Sequence, residues 1–120
     1  EDVVCFSFSP LAAGLLTGKY QNGAVPEGSR MTFGPQLGGR VQPRVFDAVD
    51  AYLKVAEKHD MSLAHMAMAF QRSRPFKVSA IFGASTSTQL AELLEGKDLE
   101  LSDDVLADID AAHRAHPMPF

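Results

Sequence analysis

Two stretches hold residues whose types and spacing suit chemistry. The first runs Phe8-Ser9-Pro10-Leu11-Ala12-Ala13-Gly14-Leu15-Leu16-Thr17-Gly18-Lys19-Tyr20. An apolar run breaks at Ser9-Pro10, passes two glycines and reaches a lysine. Backbone N–H groups exposed at a strand end, with a cation a few residues on, suit a phosphate. The second stretch is Gly83-Ala84-Ser85-Thr86-Ser87-Thr88-Gln89. Thr86 and Gln89 have capping-box spacing and start a helix. Gly83, Ala84 and Ser85 then form a tight turn whose free N–H groups point out of the helix N-terminus, a second candidate anion site. The plainer readings are a solvated Lys19 and a Ser85–Gln89 helix cap without a ligand. The adjacent Ser-Pro pair and two glycines favour phosphate for Lys19.

Other chemistry-bearing residues read as structural. His113 and His116 are three apart, but two ligands without a third make surface histidines rather than a metal site. Asp103, Asp104, Asp108 and Asp110 read as a solvated helix face. Cys5, the only cysteine, reads as a buried, inert thiol. One cysteine permits no internal disulfide and no thiolate cluster, so the cytoplasm is the expected compartment. Neither a G-x-S-x-G elbow nor a G-x-x-x-x-G-K-[ST] loop occurs, which leaves hydrolase and P-loop readings without support.

The elements that must position the two turns follow from pattern. Val3 to Phe8 reads as a strand buried on both faces, ended near Ser9 because Pro10 has no N–H for a ladder. Gln21 to Pro43 is dense in Gly and Pro and reads as a long surface loop, either a lid over the site or a tolerated insertion. Arg44 to His59 reads as a helix with Val45, Val49, Tyr52, Leu53 and Ala56 on one face and Asp50 and Lys54 paired on the other. Ser62 caps a second helix over Leu63 to about Arg72, ended ahead of Pro75. Its methionines read as core filler. Lys77 to Phe82 is a second strand, followed by a helix to about Leu94. Ser102-Asp103-Asp104 opens a last helix with Val105, Leu106, Ile109 and Ala112 inward, and Pro117 and Pro119 close an extended tail.

The 120 residues fit one domain or part of one. Hydrophobic residues make up 46% and charged residues 22%, which argues against disorder. A net charge of −4 without a basic patch argues against a nucleic-acid partner. No apolar run approaches the roughly 20 residues of a membrane span. The opening Glu1-Asp2, with no basic n-region or initiator Met, points to a chain cut from something longer.

Strands alternating with helices imply parallel βα units. Two parallel strands alone would expose unpaired edges, so the pair belongs in a larger α/β fold. A (β/α)₈ barrel commonly places its phosphate site in the loops after strands 7 and 8. The expected architecture for 1–120 is therefore the C-terminal part of such a TIM barrel, incomplete by itself.

The motifs closely resemble the aldo-keto reductase family, in the branch with bacterial reductases and potassium-channel β subunits. The resemblance rests on Phe8-Ser9-Pro10-Leu11, Gly14-Leu15-Leu16-Thr17-Gly18-Lys19-Tyr20, Pro26-Glu27-Gly28-Ser29-Arg30, Ser62-Leu63-Ala64, Ser73-Arg74-Pro75, Gly83-Ala84-Ser85 with Gln89-Leu90, and Leu101-Ser102-Asp103, in that order. It implies a barrel that binds NADPH and reduces small-molecule aldehydes or ketones. It makes Ser9, Pro10, Leu11, Ala12, Ala13 and Lys19 contacts to the pyrophosphate region, with Arg30 folding over. Gly83, Ser85, Gln89 and Glu92 fall at the adenosine end, and Phe8 stands where relatives stack an aromatic near the nicotinamide. Many relatives carry an asparagine after that glutamate, where this chain has Leu93. The family's catalytic Asp, Tyr, Lys and His come from earlier strands, and neither tyrosine here nor any of His59, His65, His113 and His116 sits in those motifs. The resemblance thus assigns this chain cofactor-binding residues and no catalytic ones, with no activity expected from these residues alone. Its expected partner is the remaining, N-terminal part of the barrel. The alternatives are a non-catalytic NADP-binding sensor or regulatory subunit, and an inactive truncated product that oligomerises through its strand edges.

Overall fold

The computed structural model describes residues 3–120. Two short strands, β1 (Cys5–Phe8) and β2 (Val78–Ile81), pair in parallel with Cys5 beside Val78 and Phe8 beside Ile81. Between them lie two 3₁₀ turns (Ala12–Thr17 and Gln21–Gly23), a one-turn helix α1 (Arg30–Phe33), and the helices α2 (Val45–Lys58) and α3 (Leu63–Arg72). After β2 come α4 (Ser87–Glu95) and α5 (Asp103–Ala115).

Helices α2, α3 and α5 follow their apolar patterns, and α3 and α5 also carry side-chain caps. Ser62 Oγ accepts the His65 N–H at 3.1 Å, and Ser102 Oγ accepts the Val105 N–H at 3.4 Å. Asp50 and Lys54 pair at 2.7 Å on the outer face of α2. The apolar faces of α2, α3 and α5 meet through Val45, Val49, Ala56, Leu63, Met66, Val105 and Ile109. Burying each large side chain there contributes about 1.5–3 kcal/mol. Leu15, Tyr20 and Leu37 enter the same core from the connection after β1. The long loop is thus anchored: Leu37 is buried, and Gln21 Nε2 donates to the Phe46 carbonyl at 2.9 Å.

The strands differ from the sequence expectation. They are shorter, and β1 is not buried on both faces. Side chains alternate along the pleat. Ser7 and its register partner Ala80 are half-buried, and the Ser7 hydroxyl bonds the Gln71 amide oxygen of α3. Phe6, Phe8 and Ile81 lie on the opposite face and are 66%, 77% and 54% exposed. The hydrophobic core forms among the helices, and no described residue covers that face of the sheet. Cys5, at the start of β1, is exposed, not buried as the sequence suggests.

Candidate functional site

The two motif turns follow neighbouring parallel strands, so they emerge side by side at the same end of the sheet. The first has an unusual backbone. Ser9, Ala12 and Ala13 hold φ of 54°, 48° and 59°, in the left-handed region that L-residues avoid. Such residues cost of order 1–3 kcal/mol each and cluster at ligand sites. Local hydrogen bonds hold the turn: Ala12 N–H donates to the Ser9 carbonyl and Gly14 N–H to the Leu11 carbonyl, each at 2.9 Å. Gly14, at φ 97°, has Lys19 Cε and Tyr20 Cε2 at 3.1 and 3.3 Å from where a Cβ would stand. That close approach needs glycine and fixes where Lys19 lies.

Between the turns is an open cleft of about 860 Å³. Phe8, Ser9, Pro10, Leu11, Ala13, Lys19, Arg30, Gly83, Ser85, Gln89 and Glu92 all line it. Of the expected contacts, Ala12 alone lies off the wall. Gly28 and Ser29 bring the long loop to the cleft, and Ser62, Ala64 and His65 bring the start of α3. Neither tyrosine lines it. Tyr20 is buried beneath Gly14, and Tyr52 lines a separate apolar groove, where burial raises its phenol above the ordinary value.

The polar groups suit an oxygen-rich anion. Ser29 is 8% exposed and its Oγ has no hydrogen-bond partner. Burying a hydroxyl unpaired costs about 1–3 kcal/mol, so this wall presents an unmet donor and acceptor. Among the described residues neither Lys19 nor Arg30 forms an ion pair, and their charge stays available. An orphaned hydroxyl and two cations outside any described ion pair fit the phosphates of a dinucleotide.

At the second turn the structure shows the plainer of the two sequence readings, a Ser85–Gln89 cap, in place of free N–H groups. The Ser85 N–H is not free: it donates to Gln89 Oε1 at 2.9 Å, while the Gln89 N–H donates to Thr86 Oγ1 at 3.2 Å. The Gln89 amide thereby satisfies an otherwise orphaned donor at the start of α4. A ligand bound through Ser85 N–H must displace that amide. Asp108 stays 30% exposed on α5 but is also paired, which the sequence does not show. Its Oδ2 accepts from Lys58 Nζ and from His59 Nε2, both at 2.7 Å, tying the end of α2 to α5.

The aldo/keto reductase family model matches residues 1–114. The chain belongs to the aldo-keto reductase family. It is 42% identical over 119 residues to Protein tas of Escherichia coli K12, covering 99% of this chain and 34% of that protein. It is 37% identical over 114 residues to L-glyceraldehyde 3-phosphate reductase of Escherichia coli O157:H7, covering 90% of this chain and 33% of that protein. A voltage-gated potassium channel subunit beta of Schizosaccharomyces pombe is 34% identical over 110 residues, covering 86% of this chain and 32% of that protein. The chain thus spans about a third of the length of these relatives. Among solved structures, glycerol dehydrogenase of Gluconobacter oxydans superposes with a TM-score of 0.73 at 24% identity, over 98% of this chain and 36% of that one. The two-stranded parallel sheet with its helices accords with part of a TIM barrel. No helix among the described residues is long and apolar enough to cross a membrane.

Missed in the sequence were Ser29 and His65 as cleft residues. Ser29 lay inside a motif that drew attention to Arg30. His65 carried no local signal, because its partner is 27 residues away.

Proposed function

We propose that this chain is the NADP(H)-holding, C-terminal portion of an aldo-keto reductase barrel, its strands 7 and 8, in a cytoplasmic enzyme that reduces aldehydes or ketones. The observation that carries the reading is the convergence of both motif turns, Lys19 and Arg30 on one cleft. Lys19 and Arg30 supply charge to the phosphates, and Ser29 supplies a hydroxyl. Phe8, 77% exposed at the mouth, offers a flat apolar surface to the nicotinamide. Gln89 and Glu92 face the adenosine end. When bound, the cofactor supplies a hydride to the carbonyl carbon, and the proton for the oxygen comes from a group outside this chain. The open sheet face of Phe6 and Ile81 is where side chains of the remaining barrel strands pack.

The kinship to a potassium-channel subunit favours one second reading, an NADP-binding regulatory subunit that uses the same cleft. Limited proteolysis of the full chain tests the cofactor reading. NADPH at saturating concentration should slow cleavage in the glycine-rich stretch 34–39, whereas unchanged cleavage would contradict it. Turnover of an aldehyde by the NADPH-bound complete barrel, with the remaining strands present, then separates the enzyme from the regulatory subunit.

A further inference from the structure

Helix α4 bears Gln89 and Glu92, yet none of its side chains is buried. Apolar packing therefore does not set its position. Polar ties from α3 do. Gly96, the residue after α4, turns its N–H to the Leu94 carbonyl instead of continuing the ladder to Glu92. The Glu92 carbonyl is one of the orphaned acceptors at a helix C-terminus. His65 of α3 meets it: Nε2 donates to Glu92 O at 2.6 Å. Facing a carbonyl, that nitrogen must carry the proton.

Two further features hold the imidazole in place. Its own backbone N–H is fixed by Ser62 Oγ at 3.1 Å. Its ring sits on Gly96, where a Cβ would lie 2.5 Å from Cγ and 2.6 Å from Cδ2. No side chain larger than glycine fits at 96 while the ring stays where it is. Arg72 reinforces the same end of α4, donating to the Gly96 and Leu99 carbonyls at 3.3 and 2.8 Å.

We propose that His65 is a positioning residue for the adenosine end of the cleft: it caps α4 from the neighbouring helix and thereby sets where Gln89 and Glu92 stand. The inference rests on the cofactor reading above. His65 need not touch the ligand; its effect passes through the Glu92 carbonyl and the axis of α4. Its seat on Gly96 makes glycine at that position part of the same device.

The test uses the full chain, with adenosine 2′,5′-bisphosphate as a probe for the adenosine end alone. Affinity is measured by calorimetry, and the stability of 87–96 by amide hydrogen exchange. His65→Leu should weaken the probe at least about five-fold and accelerate exchange in α4 while α2 and α5 keep their protection. His65→Gln, which retains an N–H donor, should recover most of both. Gly96→Ala should mimic His65→Leu. Wild-type affinity or wild-type α4 exchange in His65→Leu would overturn the proposal, as would a His65→Gln variant no better than His65→Leu. If the wild-type protein fails to bind the probe, the cofactor reading itself falls; if it binds and His65→Leu binds equally, only the role of His65 does.

Discussion

Lys19 Nζ lies 5.2 Å from the centre of the Tyr20 ring, and that ring is buried beneath Gly14. The lysine is thus laid along an aromatic face instead of swinging freely in solvent. A cation over such a face gains about 0.5–1 kcal/mol near the surface. The gain is small, but it biases a flexible side chain toward the cleft wall.

Gly14→Val should disturb that arrangement twice. The new Cβ meets Lys19 and Tyr20, and φ of 97° is poorly tolerated by a β-branched residue. We expect a loss of about 1–2 kcal/mol or more in thermal denaturation, together with weaker NADPH binding. Tyr20→Phe should do neither. The Tyr20 hydroxyl has no hydrogen-bond partner, so its removal should leave stability unchanged or slightly raised.

Asp108 gives the fold a dependence on acid. Hydrogen bonds from Lys58 and then His59 hold its carboxyl below the ordinary value of 3.8. A lowered folded-state value means that the contribution is complete above the ordinary aspartate range and is lost as pH falls through the lower, folded value. Wild-type Tm should therefore fall more steeply than that of Asp108→Asn below about pH 4. Parallel curves would show that the contact adds nothing.

Ser62→Ala removes the acceptor for the His65 N–H at the start of α3. The expected cost is about 1 kcal/mol, read as a lower Tm, with Ser62→Asp close to wild type. Equal melting of Ser62→Ala and wild type would mean that packing of Leu63 and Met66 alone fixes the helix start.

Helices with an apolar stripe were legible in the sequence, and a cap sharpened the start of α3. Ser62 and the Pro75 stop marked α3, and Val45, Val49 and Ala56 marked α2. Motif spacing also identified both turns of the cleft. What failed depends on neighbours. The apolar run of β1 reads as buried, but burial requires a covering layer that these residues do not supply for Phe6 and Phe8. Gln89 has cap spacing, but spacing alone leaves a Ser85–Gln89 cap and free N–H groups both open. Asp108 looks like one of several exposed acids until α2 places Lys58 and His59 beside it. His65 has meaning only with Gly96, across a strand and a helix.

The central claim is that this cleft holds the phosphates of NADP(H), and fluorescence titration of the full chain with NADPH tests it most directly. The wild-type protein should bind, Lys19→Ala should weaken binding by a few-fold or more, and the difference between the two should shrink as salt rises, because screening weakens the lysine's contribution. Equal affinity for NADPH in wild type and Lys19→Ala, at low salt as well as high, would contradict the account.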